Sequence, residues 1–519
     1  MERTNTRCRE DAAWYTPPTG AARAMRVWAQ PYAMVSFDIV TLLLLAAAVV
    51  AVLFRRAPLA GRERYLYWAA LALTAVHFLF ARRTTFLPAY GVAVAVFFTA
   101  RPSTYVSLVL RRTMGVASIL ALVTVAILGW AFPVIRLPAP SGPFAVGSRW
   151  VAVVDSTRVE DFVGDSAVKR ALLLRVWYPT DSAGPAVSPL MPATQAQVLA
   201  KSMNLPAFAF QHLSRTPTHT HPDVPLSRRE ATWPVVLFSH GFGIGYESQN
   251  TVQMEELASH GYVVVSIDHP YEAGAVAFPN GPVIRMAPAP FSDPATAQRL
   301  VPFIKTLATE SDTSVLKRSA TEMRAIMQLD RSMDRWVRDT RFVADLLAQM
   351  DSTSLLPGFG GRLRTDQFGV FGMSFGGATA AAFCGVDPRC AVGVNLDGLT
   401  FGAAVDTAIA RPFLFATSAG NTHMFDTEFL RATGPAWLVS VAGANHLDYT
   451  DFGYVSPLFV KLGVLGGIPA TTMREIMNAA VLGMMDAHLT RRSAFDTATL
   501  TRHPEVTLRS HPAVALPPS

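Results

Sequence analysis

Hydrophobic positions are spread very unevenly along this chain. Over the first quarter they form four nearly continuous stretches, at about 35–54, 65–81, 86–100 and 113–135. Between them stand arginines: Arg55, Arg56, Arg62 and Arg64, then Arg82 and Arg83, then Arg101, Arg111 and Arg112. A helix needs ~20 apolar residues to cross a bilayer core, and an arginine at its centre costs ~2.5–3.5 kcal/mol on the insertion scale. The pattern predicts about four transmembrane helices over 35–136, joined by short turns, the third interrupted by Pro88 and Gly91. Residues 1–34 are polar and read as a tail, and Met34, where the first apolar segment opens, is an alternative start.

From about residue 138 the period changes. Short apolar, β-prone runs now alternate with amphipathic stretches, which predicts an α/β domain over 138–502 built on a mostly parallel, doubly wound sheet. Trp233 to Ser239, Phe368 to Phe371, Cys390 to Leu396 and Ala436 to Val441 read as strands. Ser332 to Met350, with Trp336, Val343, Leu347 and Met350 at helical spacing, reads as a helix packed on the sheet. Residues 270–330, rich in Pro, Ala and Thr, with Phe278, Ile284, Met286 and Phe291 in no period, read as a lid-like insertion. Four prolines in 503–519 predict an irregular tail.

The candidate chemistry centres on Gly372-Met373-Ser374-Phe375-Gly376, a G-x-S-x-G pentapeptide placed where a buried strand turns into a small-residue helix. That context marks Ser374 as a nucleophile held on a sharp elbow. A serine hydroxyl needs a base, itself oriented by a carboxylate, and in this fold they follow in the order Ser, Asp/Glu, His. Asp397 stands at the end of the run Cys390 to Leu396, and His446 in the loop after Ala436 to Val441. Both positions lie at the C-terminal edge of a parallel sheet, where such sites sit. The loop Ser239-His240-Gly241-Phe242-Gly243 follows a core strand and can aim N–H groups at an oxyanion. The hole is assigned to the amides of Phe242 and Phe375, with His240 bracing the loop.

At these residues the chain resembles the plasma and intracellular type II platelet-activating factor acetylhydrolases, in a bacterial-type membrane-anchored form. The matching pieces are Ser141 to Gly147, Arg175 to Pro179, Phe238 to Gly243, Leu257 to Tyr262, Ser374 to Thr379 and Leu396 to Gly398. The resemblance implies an α/β-hydrolase fold, the triad Ser374, Asp397 and His446, and hydrolysis of phospholipids with a short or oxidised sn-2 acyl chain. Met373 departs from the histidine that often precedes the family's serine. An alternative is a broader esterase, lipase or polyester hydrolase; a non-enzymatic alternative is a membrane protein using a hydrolase-like domain to bind ligands. The intact triad and the near absence of charge inside the spans argue against the latter.

Composition agrees with two parts. Half the residues are hydrophobic and only 16% are charged. The net charge of +7 is spread out and suits an anionic membrane surface, not nucleic acid. No cofactor or metal is expected: His219-Thr220-His221-Pro222-Asp223 offers two imidazoles but reads as a loop, and His260 caps a helix. Cys384 and Cys390 are near enough to pair, though buried free thiols are the expected state. No obligate protein partner is indicated. Arg55, Arg56, Arg62, Arg64, Arg101, Arg111 and Arg112 on one side, against Arg23, Arg26, Arg82, Arg83, Arg136 and Arg149 on the other, favour a catalytic domain outside a bacterial plasma membrane.

Overall fold

The computed structural model describes residues 31–54, 62–80, 84–99, 107–133 and 135–512, apart from 280, 290–292, 350–355, 406 and 419–422. The turns carrying Arg55, Arg56, Arg82, Arg83 and Arg101, together with Arg23, Arg26, Phe291 and Met350, lie outside the described residues.

Among the described residues, four α-helices precede the sheet: Pro31–Phe54, Arg62–Phe80, Leu87–Thr99 and Leu108–Ala131. Their number is the predicted one, but among the described residues only Arg112–Ala131 is long and apolar enough to cross a membrane. The apolar parts Phe37–Ala51, Tyr65–Leu79 and Leu87–Phe98 are shorter, and at 1.5 Å per residue the 13 residues of Leu87–Thr99 reach only about 20 Å of a ~30 Å core. Leu45, Val49, Tyr67, Ala70, Phe86, Val92 and Val125 meet inside the bundle. The interior is not free of charge as expected: His77 Nε2 lies 2.8 Å from Asp38 Oδ1, and its Nδ1 lies 2.8 Å from the Tyr90 hydroxyl.

The rest of the chain is built on a ten-stranded sheet. Its strands are β1 (Ala145–Val159), β2 (Lys169–Thr180), β3 (Thr220–Pro222), β4 (Trp233–Ser239), β5 (Val263–Asp268), β8 (Leu363–Met373), β9 (Cys390–Leu396), β10 (Phe413–Ser418), β11 (Ala436–Val441) and β12 (Val506–His511). Their order is β12-β11-β10-β9-β8-β4-β5-β2-β1-β3. The six strands from β11 to β5 in that order run parallel, while β2 joins β5, and β12 joins β11, antiparallel. Every residue of β4 and β5 is buried, as central strands covered on both faces require. One face packs on the helices Phe375–Val386 and Asp330–Ala348, which contribute Ala378, Phe383, Met333, Trp336, Val343 and Leu347. The other face receives Met254, Leu257, Met473, Ile476 and Met484. Residues this deep each contribute about 1.5–3 kcal/mol by leaving water.

Three local expectations change. The tail predicted to be irregular contains β12, paired from Val441↔Val506 to Ala436↔His511. Val506 and Leu508 alternate onto the core between Pro504 and Pro512, so the prolines bracket a strand instead of abolishing one. Residues 513–519 lie outside the description. Cys384 and Cys390, expected as free thiols, form a disulfide. The turn between them is folded back by Arg389, whose Nε and Nη2 bind the two Asp387 oxygens at 2.9 and 2.8 Å, bringing the end of one helix to the start of β9. The 270–330 insertion is ordered as a hairpin of β6 (Ala275–Ala277) and β7 (Val283–Arg285), then the helices Pro294–Thr309 and Thr313–Met327. Phe278 and Ile284, which show no period in the sequence, are half-buried against Leu173, Ala273 and Val276.

Candidate active site

The chain turns sharply from strand to helix at Ser374. Ser374 stands between the last residue of β8 and the helix Phe375–Val386 with φ 56° and ψ −124°, and its N–H donates to the Leu396 carbonyl at 2.7 Å. Such a non-glycine conformation costs on the order of 1–3 kcal/mol and persists only where its surroundings fix it. Gly376 is one fixing element, because a Cβ there would come within 1.9 Å of the Ser239 carbonyl oxygen. The chain after β4 therefore runs directly against the elbow.

Asp397 follows β9, also at positive φ (56°), with its side chain fully buried. Asn395 shapes this turn, accepting from Gly398 N–H and donating to Gly398 O, each at 2.8 Å. Gly398 is required there, since a Cβ would meet the Ser374 carbonyl at 1.7 Å. His446 comes from the turn after β11. Asp448 Oδ2 fixes that turn by accepting from the N–H groups of Asn445 and Gly466, both at 2.7 Å.

The structure brings these three side chains together. His446 Nε2 is 2.9 Å from Ser374 Oγ, and His446 Nδ1 is 2.7 Å from Asp397 Oδ2. With the Nδ1–H donating to the carboxylate, Nε2 is left to accept from the serine hydroxyl. The imidazole remains 43% exposed.

Phe375 begins its helix, so its N–H has no acceptor within the helix. The loop of Phe242 passes over the serine: a Cβ on Gly241 would lie 3.3 Å from Ser374 Cβ. The rings of Phe242 and Phe375 meet edge to face at 5.5 Å. Gln249 secures the loop, accepting from Gly241 N–H at 2.8 Å. His240 braces it as well: its Nδ1–H donates to Gly241 O at 2.8 Å and its Nε2 accepts from His269 N–H at 3.2 Å. Burial, with nearby His269 adding, pushes the His240 imidazole down to about 3, so it is neutral. From the 270–330 insertion, the Met286 thioether comes to within 3.5 Å of where a Gly243 Cβ would stand.

Sequence reasoning missed Ser418, Asn395 and Gln249. Ser418 donates to both Asp397 oxygens across the β9–β10 pair. The two imidazoles of the His-x-His stretch go separate ways. His219 binds Glu255, whose hydrogen bond raises its pKa against the opposing effect of burial, and His221 donates to Ala186 O. Among the described residues there is no group of three or more His, Cys, Asp and Glu placed to hold a metal.

The mostly parallel sheet and the sharp turn at Ser374 give the architecture of an α/β-hydrolase, with Ser374, His446 and Asp397 in line at the C-terminal edge of the strands. The chain belongs to the family described as platelet-activating factor acetylhydrolase, isoform II, which it matches over residues 130–502. It is similar to the platelet-activating factor acetylhydrolase of Cavia porcellus, 24% identical over 51% of this chain and 59% of the relative's own length. The same protein of Gallus gallus is 24% identical over 70% of this chain and 85% of that one. A probable 1-alkyl-2-acetylglycerophosphocholine esterase of Arthroderma benhamiae is 24% identical over 48% and 58%. The stretch matched thus spans little more than half the length of several of these relatives. Among solved structures, a ferulic acid esterase from Streptomyces cinnamoneus superposes with a TM-score of 0.55 at 23% identity, covering 72% of this chain and 99% of that one. It supports the fold.

Proposed function

We propose that this protein is a membrane-anchored serine carboxylic-ester hydrolase acting through an acyl-serine intermediate. The observation that carries the reading is His446 lying within hydrogen-bond distance of both Ser374 and Asp397. Ser374 Oγ attacks the ester carbonyl carbon while its proton passes to His446 Nε2. The resulting imidazolium is stabilised by the Asp397 carboxylate, and the N–H groups of Phe242 and Phe375 receive the oxyanion. Collapse expels the alcohol, which takes the proton from His446. A water then repeats the sequence on the acyl-enzyme and releases the acid.

For substrate we infer an alkyl- or acyl-glycerophosphocholine with a short sn-2 acyl group, supported by the family and by the fungal relative's name. Anchoring is supported by the helix Arg112–Ala131 and by the apolar side chains the bundle turns outward, among them Leu43, Leu79, Leu87, Leu120 and Ile127. The end of that helix is fastened to the hydrolase: the Ser456 hydroxyl donates to Ala131 O, and Lys461 Nζ lies 4.8 Å from the Trp130 ring centroid. The catalytic domain would then sit at the lipid surface.

The test is hydrolysis of sn-2-acetyl phospholipids beside a panel of p-nitrophenyl esters by the purified full chain and its Ser374→Ala and His446→Ala variants. Each substitution is expected to lower turnover by roughly 10⁶, because such residues act as a unit. A folded Ser374→Ala protein keeping more than a few per cent of activity would remove the nucleophile assignment. Turnover of the p-nitrophenyl esters alone would leave a broader esterase.

A further inference from the structure

Beneath the loop that carries Phe242 lies a second buried chain of hydrogen bonds, in which a serine, a histidine and an aspartate are again aligned. His269 Nδ1 is 2.8 Å from Asp339 Oδ2, and His269 Nε2 is 3.2 Å from the hydroxyl of Ser239, the last residue of β4. His269 and Asp339 are completely buried and Ser239 nearly so. No substrate can reach them, so this is no second catalytic centre.

What the chain touches is more telling. Burial would raise the Asp339 carboxyl, but the Arg170 guanidinium, with Nη2 at 2.7 Å, and the His269 ring hold it well below the usual range. Burial outweighs the Asp339 hydrogen bond at His269 and lowers its pKa, so the ring is neutral. With Nδ1–H given to the carboxylate, Nε2 accepts the Ser239 hydroxyl proton.

One turn earlier on the same helix, Trp336 lies flat on His269 at 3.8 Å. Its other ring neighbours include Phe375, edge to face at 4.9 Å, His240 at 5.0 Å and Phe242 at 6.3 Å. The Trp336 Nε1–H donates to Glu272 Oε2 at 2.8 Å, and Arg335 Nη1 binds the other Glu272 oxygen at 2.7 Å. The Glu272 carbonyl in turn accepts from Gly243 N–H at 2.8 Å. The segment 239–243 is thus held at its first residue through His269 and at its last through Glu272, with Phe242 between.

We infer that Trp336 and Asp339 on the helix Asp330–Ala348 are positioning residues for the oxyanion hole, acting through Glu272 and His269 to fix the Phe242 and Phe375 amides relative to Ser374. This rests on the ester-hydrolase reading above. An oxyanion donor serves only if it is already in place when charge develops, and a misplacement of about 1 Å can cost ~10²-fold in rate. A loop clamped at both ends by fully buried partners has that property, whereas a glycine-rich loop alone does not.

The experiment uses the full chain in detergent with Ser239→Ala, which removes a single buried oxygen, and Trp336→Phe, which keeps an aromatic ring but loses the Glu272 bond. Three quantities are read: kcat and KM for a p-nitrophenyl ester, the inhibition constant of a trifluoromethyl ketone, and the unfolding midpoint. The ketone is attacked by Ser374 Oγ to give a hemiketal oxyanion in the hole. We expect kcat to fall and the inhibition constant to rise by the same factor, roughly tenfold, with KM within about twofold. His269→Gln should keep more activity than His269→Ala. A lower midpoint with unchanged kcat and ketone affinity would leave these residues a structural role only and overturn the inference. A wild-type chain that neither hydrolyses esters nor binds the ketone would instead overturn the ester-hydrolase reading, and a fully active Ser374→Ala the nucleophile assignment on which the hole is placed.

Discussion

Ser418 donates to both oxygens of Asp397, its N–H to Oδ1 at 2.8 Å and its hydroxyl to Oδ2 at 3.0 Å. Oδ2 is also the atom facing His446 Nδ1. The carboxylate therefore cannot rotate away from the imidazole without losing bonds to the neighbouring strand. Ser418→Ala keeps the backbone donor and should lower kcat by about three- to thirtyfold at nearly constant KM. Asp397→Asn, which spoils the histidine tautomer, should lower it by about 10⁴. Steady-state kinetics on the two variants decide the matter; wild-type kcat in Ser418→Ala would show that the hydroxyl does not orient the acid.

The buried His240 gives a pH dependence of definite sign. Its imidazole is pushed down to about 3 in the folded chain and returns to about 6.5 on unfolding. Between these values only the unfolded state binds the proton, so stability is complete above about pH 6.5 and is lost as pH falls toward 3, by up to about 1.4 kcal/mol per unit. Asp268, raised by burial first and then by Glu247, works in the opposite direction, so the comparison of two proteins is the proper measure. Below pH 6.5 the wild type should lose stability faster than His240→Asn, and above it the two profiles should run parallel. Equal slopes at pH 4–6 in chemical denaturation would show that His240 titrates freely.

The residues of the alignment were legible because each is announced locally. Ser374 follows the apolar run at Phe368 to Phe371 and is flanked by glycines, Asp397 ends another strand, and His446 follows a third. Ser418 was not legible, since its importance depends on the register Leu396↔Ala416 between β9 and β10, which no single stretch encodes. Gln249 and Asp339 are of the same kind: an amide in a loop and an acid on an amphipathic helix, both buried only once the fold forms. The disulfide was hidden by a turn whose closure depends on Arg389 gripping Asp387. In the bundle, hydropathy averages concealed Asp38 and His77, which bind one another across two helices.

That pair makes its own prediction. His77 comes from the second helix, Asp38 from the first and Tyr90 from the third, and Phe86 stacks on the imidazole at 4.3 Å. His77→Leu leaves the carboxyl buried without its ring partner, a loss of about 3–5 kcal/mol when such pairs are broken. The bundle should unfold at markedly lower denaturant while ester hydrolysis in detergent persists. An unchanged unfolding profile, followed by protease cleavage within residues 31–131, would mean that the pair does not hold the helices together.

The disulfide bears on the sidedness of the hydrolase under the anchored reading proposed above. Cys384–Cys390 closes a short loop, worth about 2 kcal/mol by the chain-entropy relation, and such bonds persist in oxidising compartments but are rare in the cytosol. In an anchored protein it favours an exterior catalytic domain. An exterior enzyme would meet outer-leaflet or imported esters, an interior one the inner-leaflet phospholipids. Alkaline phosphatase fused after Ser519 should be active, a green fluorescent fusion dark, and mass spectrometry of the unreduced chain should find Cys384 and Cys390 joined. A bright fluorescent fusion with a silent phosphatase and two free thiols would place the domain inside, while the roles of Ser374, His446 and Asp397 would stand.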